Sequence, residues 1–309
     1  MSRAFVIGNI SLDLILGGID DFPDWGVEVL VPGYVMRPGG EGSNAALALA
    51  DLGMETFIVG TIGQDETGEE IARSFKRRKI RTEFLFFESD FQTGLSVALT
   101  HRDTQERSFF TELGAQSALS LTHLAQVFSA IADGDCVLLG GYFLSSGIRQ
   151  PGLPDMLWKL KKEKRVTLFL DTGWPTEGWA EEVKKETQRL LAPFDYFLPN
   201  EKEISGLVDF PEDIFRFFSG TLLVKSGKEG CFCYTPSDAF SVPTIPVKVQ
   251  DTIGAGDYFD AGFIFALAEG YGLKEALVVA NLVASLNIAS SPRREKLVNH
   301  DEVRKYLRQ

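Results

Sequence analysis

The sequence predicts an α/β fold built on a mostly parallel sheet, with a small second β-sheet standing off it as a lid. Three observations carry that reading. Short apolar runs alternate with amphipathic segments, the pattern of repeated βαβ units. The runs are continuously apolar rather than alternating, which suits strands covered on both faces. Two stretches, 14–38 and 82–112, break this rhythm and flank glycine-rich features.

The elements follow in chain order. Residues 4–8 are the first expected strand. Residues 14–38, rich in Gly, Pro and Val without a helical period, are assigned to the lid. A helix is expected at 43–52, a strand at 56–60 and a helix at 66–78. Within 82–112, residues 95–100 and 106–113 read as a hairpin with a polar turn at 102–105. Helices at 121–131 and 154–162 alternate with strands at 136–139, 166–170, 196–198 and 222–224. Two long helical patterns follow, 254–269 and 273–289; the first is studded with Ala and Gly and should pack closely on the sheet. Residues 301–309 read as a short closing helix. No repeat, low-complexity tract or linker divides residues 1–309, so a single domain is expected.

The chain has 309 residues, 44% hydrophobic and 24% charged, enough for a sizeable core. A formal net charge of −12 argues against nucleic-acid and anionic-membrane partners. Cys136, Cys231 and Cys233 are too few for a disulfide framework, and no second ligand pair completes a zinc site. They read as buried thiols. The chain opens directly on a strand, and no apolar run is long enough to cross a bilayer, so a cytoplasmic location is expected.

Two glycine-rich stretches carry chemistry. Asp251-Thr252-Ile253-Gly254-Ala255-Gly256-Asp257 opens an apolar helical pattern. Small residues at a helix start leave backbone N–H groups uncovered, and the positive end of the helix dipole adds to an anion site. Asp257 on the first turn suits phosphoryl transfer to a hydroxyl, with the acid accepting the proton. Its place at a helix N-terminus should keep it ionised. The second stretch, Gly39-Gly40-Glu41-Gly42-Ser43-Asn44, also opens a helix. Its glycines allow close approach of a ligand, and Asn44 offers both a donor and an acceptor to a polyhydroxyl compound. Other chemistries are excluded. The P-loop signature and the dinucleotide G-x-G-x-x-G are both absent, and His101, His123 and His300 are isolated from one another.

Gly39-Gly40-x-x-x-Asn44 and Asp251-Thr252-x-Gly254-Ala255-Gly256-Asp257, continued by Phe259, Ala261, Gly262 and Phe263, resemble the two signatures of the ribokinase-like (PfkB) carbohydrate kinase family. The resemblance covers nearly the whole chain. It implies a three-layer α/β/α sandwich with a small β-sheet lid, ATP as phosphoryl donor and Mg²⁺ as cofactor. It implies Asp257 as catalytic base and Gly254, Ala255 and Gly256 as the anion hole. Asp13, Gly39, Gly40 and Asn44 would bind the acceptor. Asn200 and Glu203 are similar to the family's N-x-x-E motif, which organises Mg²⁺ through water; the same pair also reads as a helix cap, and both can hold at once. Lys225, Ser226 and Gly227 resemble the nucleotide-side loop. Asn281 stands where members line the adenine pocket, or is an ordinary polar helix residue. Asp251 occupies the position of a monovalent-cation loop, so K⁺ is a further expected ligand. Lids of the family pair between subunits, which implies a homodimer.

Departures bear on the substrate. Many members that act on sugar phosphates carry Lys two residues after Gly39; here Glu41 stands there and would repel a substrate phosphate unless it points away. Arg107 on the lid hairpin is the counterweight, able to hold a carboxylate or a phosphate. The expected function is therefore phosphorylation of a small unphosphorylated sugar or sugar acid such as ribose, fructose or ketodeoxygluconate. A nucleoside kinase of the same fold is the alternative. A non-catalytic sugar-binding regulator is the more distant one.

Overall fold

The computed structural model describes residues 2–103 and 107–290 together with Asp301, Val303 and Lys305. The chain begins with β1 (Ala4–Gly8), β2 (Ser11–Ile19) and β3 (Tyr34–Gly39), then α1 (Glu41–Asp51), β4 (Thr56–Gly63) and α2 (Glu66–Arg77). Next come β5 (Arg81–Glu88), β6 (Gly94–His101), β7 (Arg107–Glu112) and α3 (Leu121–Ala130). The middle of the chain continues with β8 (Cys136–Gly140), α4 (Gly152–Glu163), β9 (Thr167–Asp171), α5 (Glu181–Leu191), β10 (Tyr196–Phe197) and α6 (Glu201–Leu207). The last described third holds β11 (Thr221–Lys225), β12 (Cys231–Tyr234), β13 (Ala239–Val242), α7 (Ala255–Ala268) and α8 (Leu273–Ala289).

A nine-stranded sheet has the order β13-β12-β11-β10-β9-β8-β1-β4-β5. Every pairing from β11 across to β5 is parallel, while β12 and β13 close one edge antiparallel. Helices cover both faces, making three layers. The alternation of β1 divides the core: Ala4 and Val6 pack with Leu49, Phe75, Phe263 and Val283 of α1, α2, α7 and α8. Phe5 and Ile7 pack with Leu124, Leu157, Leu190 and Ile204 of α3 to α6. Burial on both sides explains why the inner strands read as unbroken apolar runs. From β1 the chain winds outward through β4 and β5, then returns to β8 and winds the other way. The C-terminal ends of β1 and β8 therefore flank a topological switch point, where α/β sheets leave a crevice.

The second sheet has the order β3-β2-β6-β7. One face carries Asp13 opposite Arg37 and Ser96. The other pairs Leu14 with Met36 and Val97, Leu16 with Tyr34, and Val97 with Phe110. The assignment of 82–112 to this sheet needs correction. Arg81–Glu88 is β5, the outer parallel strand of the large sheet. As an edge strand it alternates between exposed and covered residues, so its pattern imitates a lid strand. The small sheet also starts earlier than position 14, at Ser11, and the exposed stretch 20–33 has no regular structure. The centre of the expected hairpin turn, 104–106, lies outside the described residues, as does most of the closing helix expected at 301–309. No described helix is long and apolar enough to cross a membrane.

Candidate active site

A cavity of about 640 Å³ opens at the C-terminal ends of the parallel strands. Its inner end is lined by Glu41, Asp171, Asn200, Glu203, Lys225 and Asp257, and its outer end by Thr244, Ile245, Pro246, Val249, Asn281 and Ile288. The inner end is acidic and the outer end mainly apolar.

Asp257 stands on the first turn of α7, which Gly254 caps with φ 77°, a left-handed conformation that disfavours a β-carbon. Ala255, Gly256 and Asp257 all line the cavity. The Ala255 N–H donates to the Thr252 carbonyl at 3.2 Å, so this member of the expected anion hole is already partnered. The first-turn N–H groups of Gly256 and Asp257 have no intrahelical acceptor. Asn44 Nδ2 donates to Asp257 Oδ2 at 2.8 Å, joining the two glycine-rich stretches across 213 residues.

Around Asp257 the structure gathers Glu41 and Glu203 with two acids that the sequence reading passed over, Asp171 and Asp260. One oxygen from each of Glu41, Asp171 and Asp257 lies within 4.8 Å of the others. Lys225 Nζ donates to Asp171 Oδ2 at 2.6 Å and to Asp260 at 3.2 and 3.3 Å. A β-carbon on Gly256 would stand 3.4 Å from that ammonium, so a fixed positive charge lies against the start of α7. Burial works against the charged form of Lys225, but Asp171, Asp260 and Glu203 outweigh it, and its pKa ends well above the ordinary lysine value. Burial pushes Asp171 up, but Lys225 together with hydrogen bonds from Asp260 and the Gly173 N–H outweighs it, and Asp171 stays below the usual carboxylate range. Asp257 is lifted to about 7, by burial first and then by Asp171. The expectation that the helix terminus keeps it fully ionised is therefore corrected: desolvation and a neighbouring carboxylate exceed the helix dipole. Burial and Asp171 likewise raise Glu203 to about 7. Glu41 lies well above its ordinary value, through burial and then Asp171 and Asp257.

On the acceptor side, Asp13 is buried and raised to about 6 by desolvation, with Arg37 opposing the shift. A β-carbon on Gly39 would overlap the Asp13 carboxylate, which explains the glycine directly opposite Ser11. The Gly40 carbonyl accepts the Asn44 N–H at 3.0 Å. Glu41 points into the site, its N–H held by Asn9 Oδ1 at 3.1 Å, and its Oε2 has no hydrogen-bond partner among the described residues.

Other expected residues divide. Asn200 and Glu203 form a reciprocal cap: Asn200 N–H donates to Glu203 Oε2 at 2.8 Å, and Glu203 N–H to Asn200 Oδ1 at 3.0 Å. Both also line the cavity, so the capping role and a cavity position coexist. Gly227 lines the cavity, whereas the Ser226 hydroxyl is buried without a hydrogen-bond partner among the described residues. Asn281 lines the outer end, but its amide donates to the carbonyls of Val242 and Pro243. Two further expected residues meet each other. The Asp251 carboxylate, expected at a monovalent-cation loop, accepts from two guanidinium groups, Arg107 Nη2 at 2.6 Å and Arg37 Nη2 at 3.3 Å. Arg107, expected to reach substrate, is held by Asp251 and the Thr252 hydroxyl.

The hard oxygen donors of Glu41, Asp171 and Asp257 fit a small divalent cation such as Mg²⁺, and the Glu41 Oε2, without a partner among the described residues, leaves a lone pair available. Asp171 and Asp260 escaped the sequence reading, yet each carried a weak signal. Asp171 ends a parallel strand, where α/β sites form. Asp260 lies three residues after Asp257, on the same helix face.

Comparison with known proteins places this geometry in context. The model of the pfkB family carbohydrate kinases matches residues 1–297. The ribokinase of Bacillus subtilis (strain 168) is 30% identical, over 99% of this chain and 100% of that one. A nucleoside kinase of Methanocaldococcus jannaschii is 23% identical over 98% and 96% of the two chains. The structure of Arabidopsis thaliana ribokinase complexed with ribose and ATP superimposes with a TM-score of 0.81 at 25% identity, covering 100% of both chains.

Proposed function

The chain belongs to the pfkB family of carbohydrate kinases and has the ribokinase fold, and from that premise we propose that it moves the γ-phosphoryl group of ATP onto a hydroxyl of a small unphosphorylated sugar or sugar acid, of the ribose, fructose or ketodeoxygluconate kind. The family's members are phosphotransferases with an alcohol group as acceptor. The observation that carries the acceptor class is the cluster of Glu41, Asp171 and Asp257 beside the first turn of α7. Carboxyl groups accept hydrogen bonds from hydroxyls, while a phosphate on the acceptor would meet the like charge of Asp171, the member held ionised, and of Asp257 once it loses its proton.

In this reading Asp257 takes the hydroxyl proton, and Asp13, Gly39, Gly40 and Asn44 hold the acceptor. The first-turn amides of α7, at Gly256 and beside Gly254 and Ala255, stabilise the transferring group; one such donor is worth on the order of 3 kcal/mol. Lys225 adds a fixed positive charge next to them. Lys225, Ser226, Gly227 and Asn281 bound the nucleotide half. Mg²⁺, held by Glu41, Asp171 and the Asn200–Glu203 pair, would neutralise phosphate charge. Closure of the small sheet excludes water, the competing acceptor.

A panel of ribose, fructose, ketodeoxygluconate, adenosine and inosine, read by ADP release, tests the proposal. A sugar or sugar acid should be the best acceptor, with its phosphorylated form at least ~10-fold poorer in kcat/KM. The 23% identity to a nucleoside kinase supports a second reading, in which adenosine or inosine leads. Silence toward every acceptor would favour the regulator reading.

A homodimer through the small sheet belongs to the proposal. The outward side chains Tyr34, Met36 and Phe110 are 68%, 54% and 57% exposed, and their cross-strand partners are mostly apolar. Met36→Lys should convert a dimer to monomer in sedimentation velocity; an unchanged sedimentation coefficient would remove this interface. A cytoplasmic setting completes the proposal, in keeping with three buried free cysteines.

A further inference from the structure

The loop that leads into α7 is fastened on two sides. On one side, the N–H groups of Gln250 and Asp251 donate to the Ile288 carbonyl at 2.8 and 3.2 Å, and Asn287 Nδ2 donates to the Ile253 carbonyl at 3.2 Å. These contacts tie the loop to α8. On the other side, the small sheet grips the same residues. Asp251 is 1% exposed and accepts from Arg107 of β7 and Arg37 of β3, while its Oδ1 also accepts the Ile253 N–H at 3.0 Å. Arg107 adds a bond to the Thr252 hydroxyl. The Ile253 side chain is buried against Ile15, Ala98 and Val35 of the small sheet. Polar and apolar contacts thus converge on three consecutive residues, directly before Gly254.

Two guanidinium groups on one enclosed carboxylate are a poor device for stability alone, because desolvating three charges offsets most of their attraction. They are a good device for geometry, since Arg presents a rigid fork. Asp13 lies opposite Arg37 in the β2–β3 register, one strand from the same grip. We propose that Arg37 and Arg107 are positioning residues. Acting through Asp251, they lock the sheet that carries Asp13 onto the loop that presents the α7 amides, so that acceptor binding and nucleotide binding are coupled. The coupling half of this inference rests on the kinase reading; the loop-locking half does not.

The test uses the full-length protein and Arg107→Ala, with Arg107→Gln as the bulk-preserving variant if alanine does not fold. Hydrogen exchange of the free protein should show the amides of 252–256 opening about tenfold faster in the variant, with the α8 amides unchanged. Binding of a non-hydrolysable ATP analogue should tighten about 5-fold or more when acceptor is present in the wild type, and by about 1-fold in the variant. Turnover should fall, while the Kd of the analogue in the absence of acceptor stays near the wild-type value. Unchanged exchange at 252–256 would overturn the locking. Faster exchange with the coupling ratio intact would overturn the link between the two ligands. A wild type that phosphorylates no acceptor overturns the kinase reading instead, and the exchange measurement still decides whether the arginines hold the loop.

Discussion

Asp257→Asn should lower turnover by at least ~100-fold with little change in ATP affinity. The substitution keeps the shape of the side chain and its neighbour Asn44, 2.8 Å away, but removes the capacity to take a proton. Steady-state kinetics and calorimetric titration with a non-hydrolysable analogue separate the two quantities. Turnover at the wild-type rate would eliminate Asp257 as base. The pH dependence gives a second handle. Burial and Asp171 lift this carboxyl to about 7, so the ionised, proton-accepting form grows as pH rises through neutrality. Wild-type kcat should therefore climb by roughly tenfold per unit below pH 7 and level off above it, whereas the residual rate of the variant should be nearly flat. Glu203, also near 7, titrates beside it, so the apparent value belongs to the carboxylate cluster as a unit.

Lys225→Met should destabilise the fold by about 3 kcal/mol near neutral pH, because it strands Asp171 in an enclosed site without a counter-charge. Burial acts most strongly on Asp171 and pushes it up, but Lys225, 2.6 Å away, is the largest of the opposing influences, which with hydrogen bonds from Asp260 and the Gly173 N–H hold it below the usual carboxylate range. Without the lysine its pKa should rise, and the deficit should shrink on acidification as the acid becomes neutral. Denaturant unfolding at pH 5 and pH 8 checks the sign: a deficit of equal size at both values would mean that lost packing, not stranded charge, explains the loss. Adding Asp171→Asn to Lys225→Met should recover much of the stability while leaving the protein inactive.

The sequence carried the fold further than the site. β1 and β8 were legible because burial on both faces leaves an unmistakable apolar run. β5 was sorted to the wrong sheet because an edge strand covered on one face alternates like a lid strand. Asp257 and Asn44 were legible through local spacing, glycines before a helix start. Lys225 was recognised as a loop residue, but its partner Asp171 lies 54 residues away, and nothing local marks a strand-terminal acid as the mate of a particular lysine. The partner of Arg107 is hidden for the same reason, since Asp251 is 144 residues distant. The ionisation of Asp257 was misjudged because helix position can be read from sequence, while enclosure by other acids depends on tertiary packing.

Glu41, Asp171, Asp257 and Asp260 converge around a single lysine. Glu41 and Asp260 lie well above the ordinary carboxylate range and Asp257 near 7, so the charges that remain, Asp171 and the Lys225 ammonium, nearly cancel. A ligand that brings unbalanced charge to this corner should therefore move protons onto or off these acids, and the number of protons exchanged on binding should change with pH.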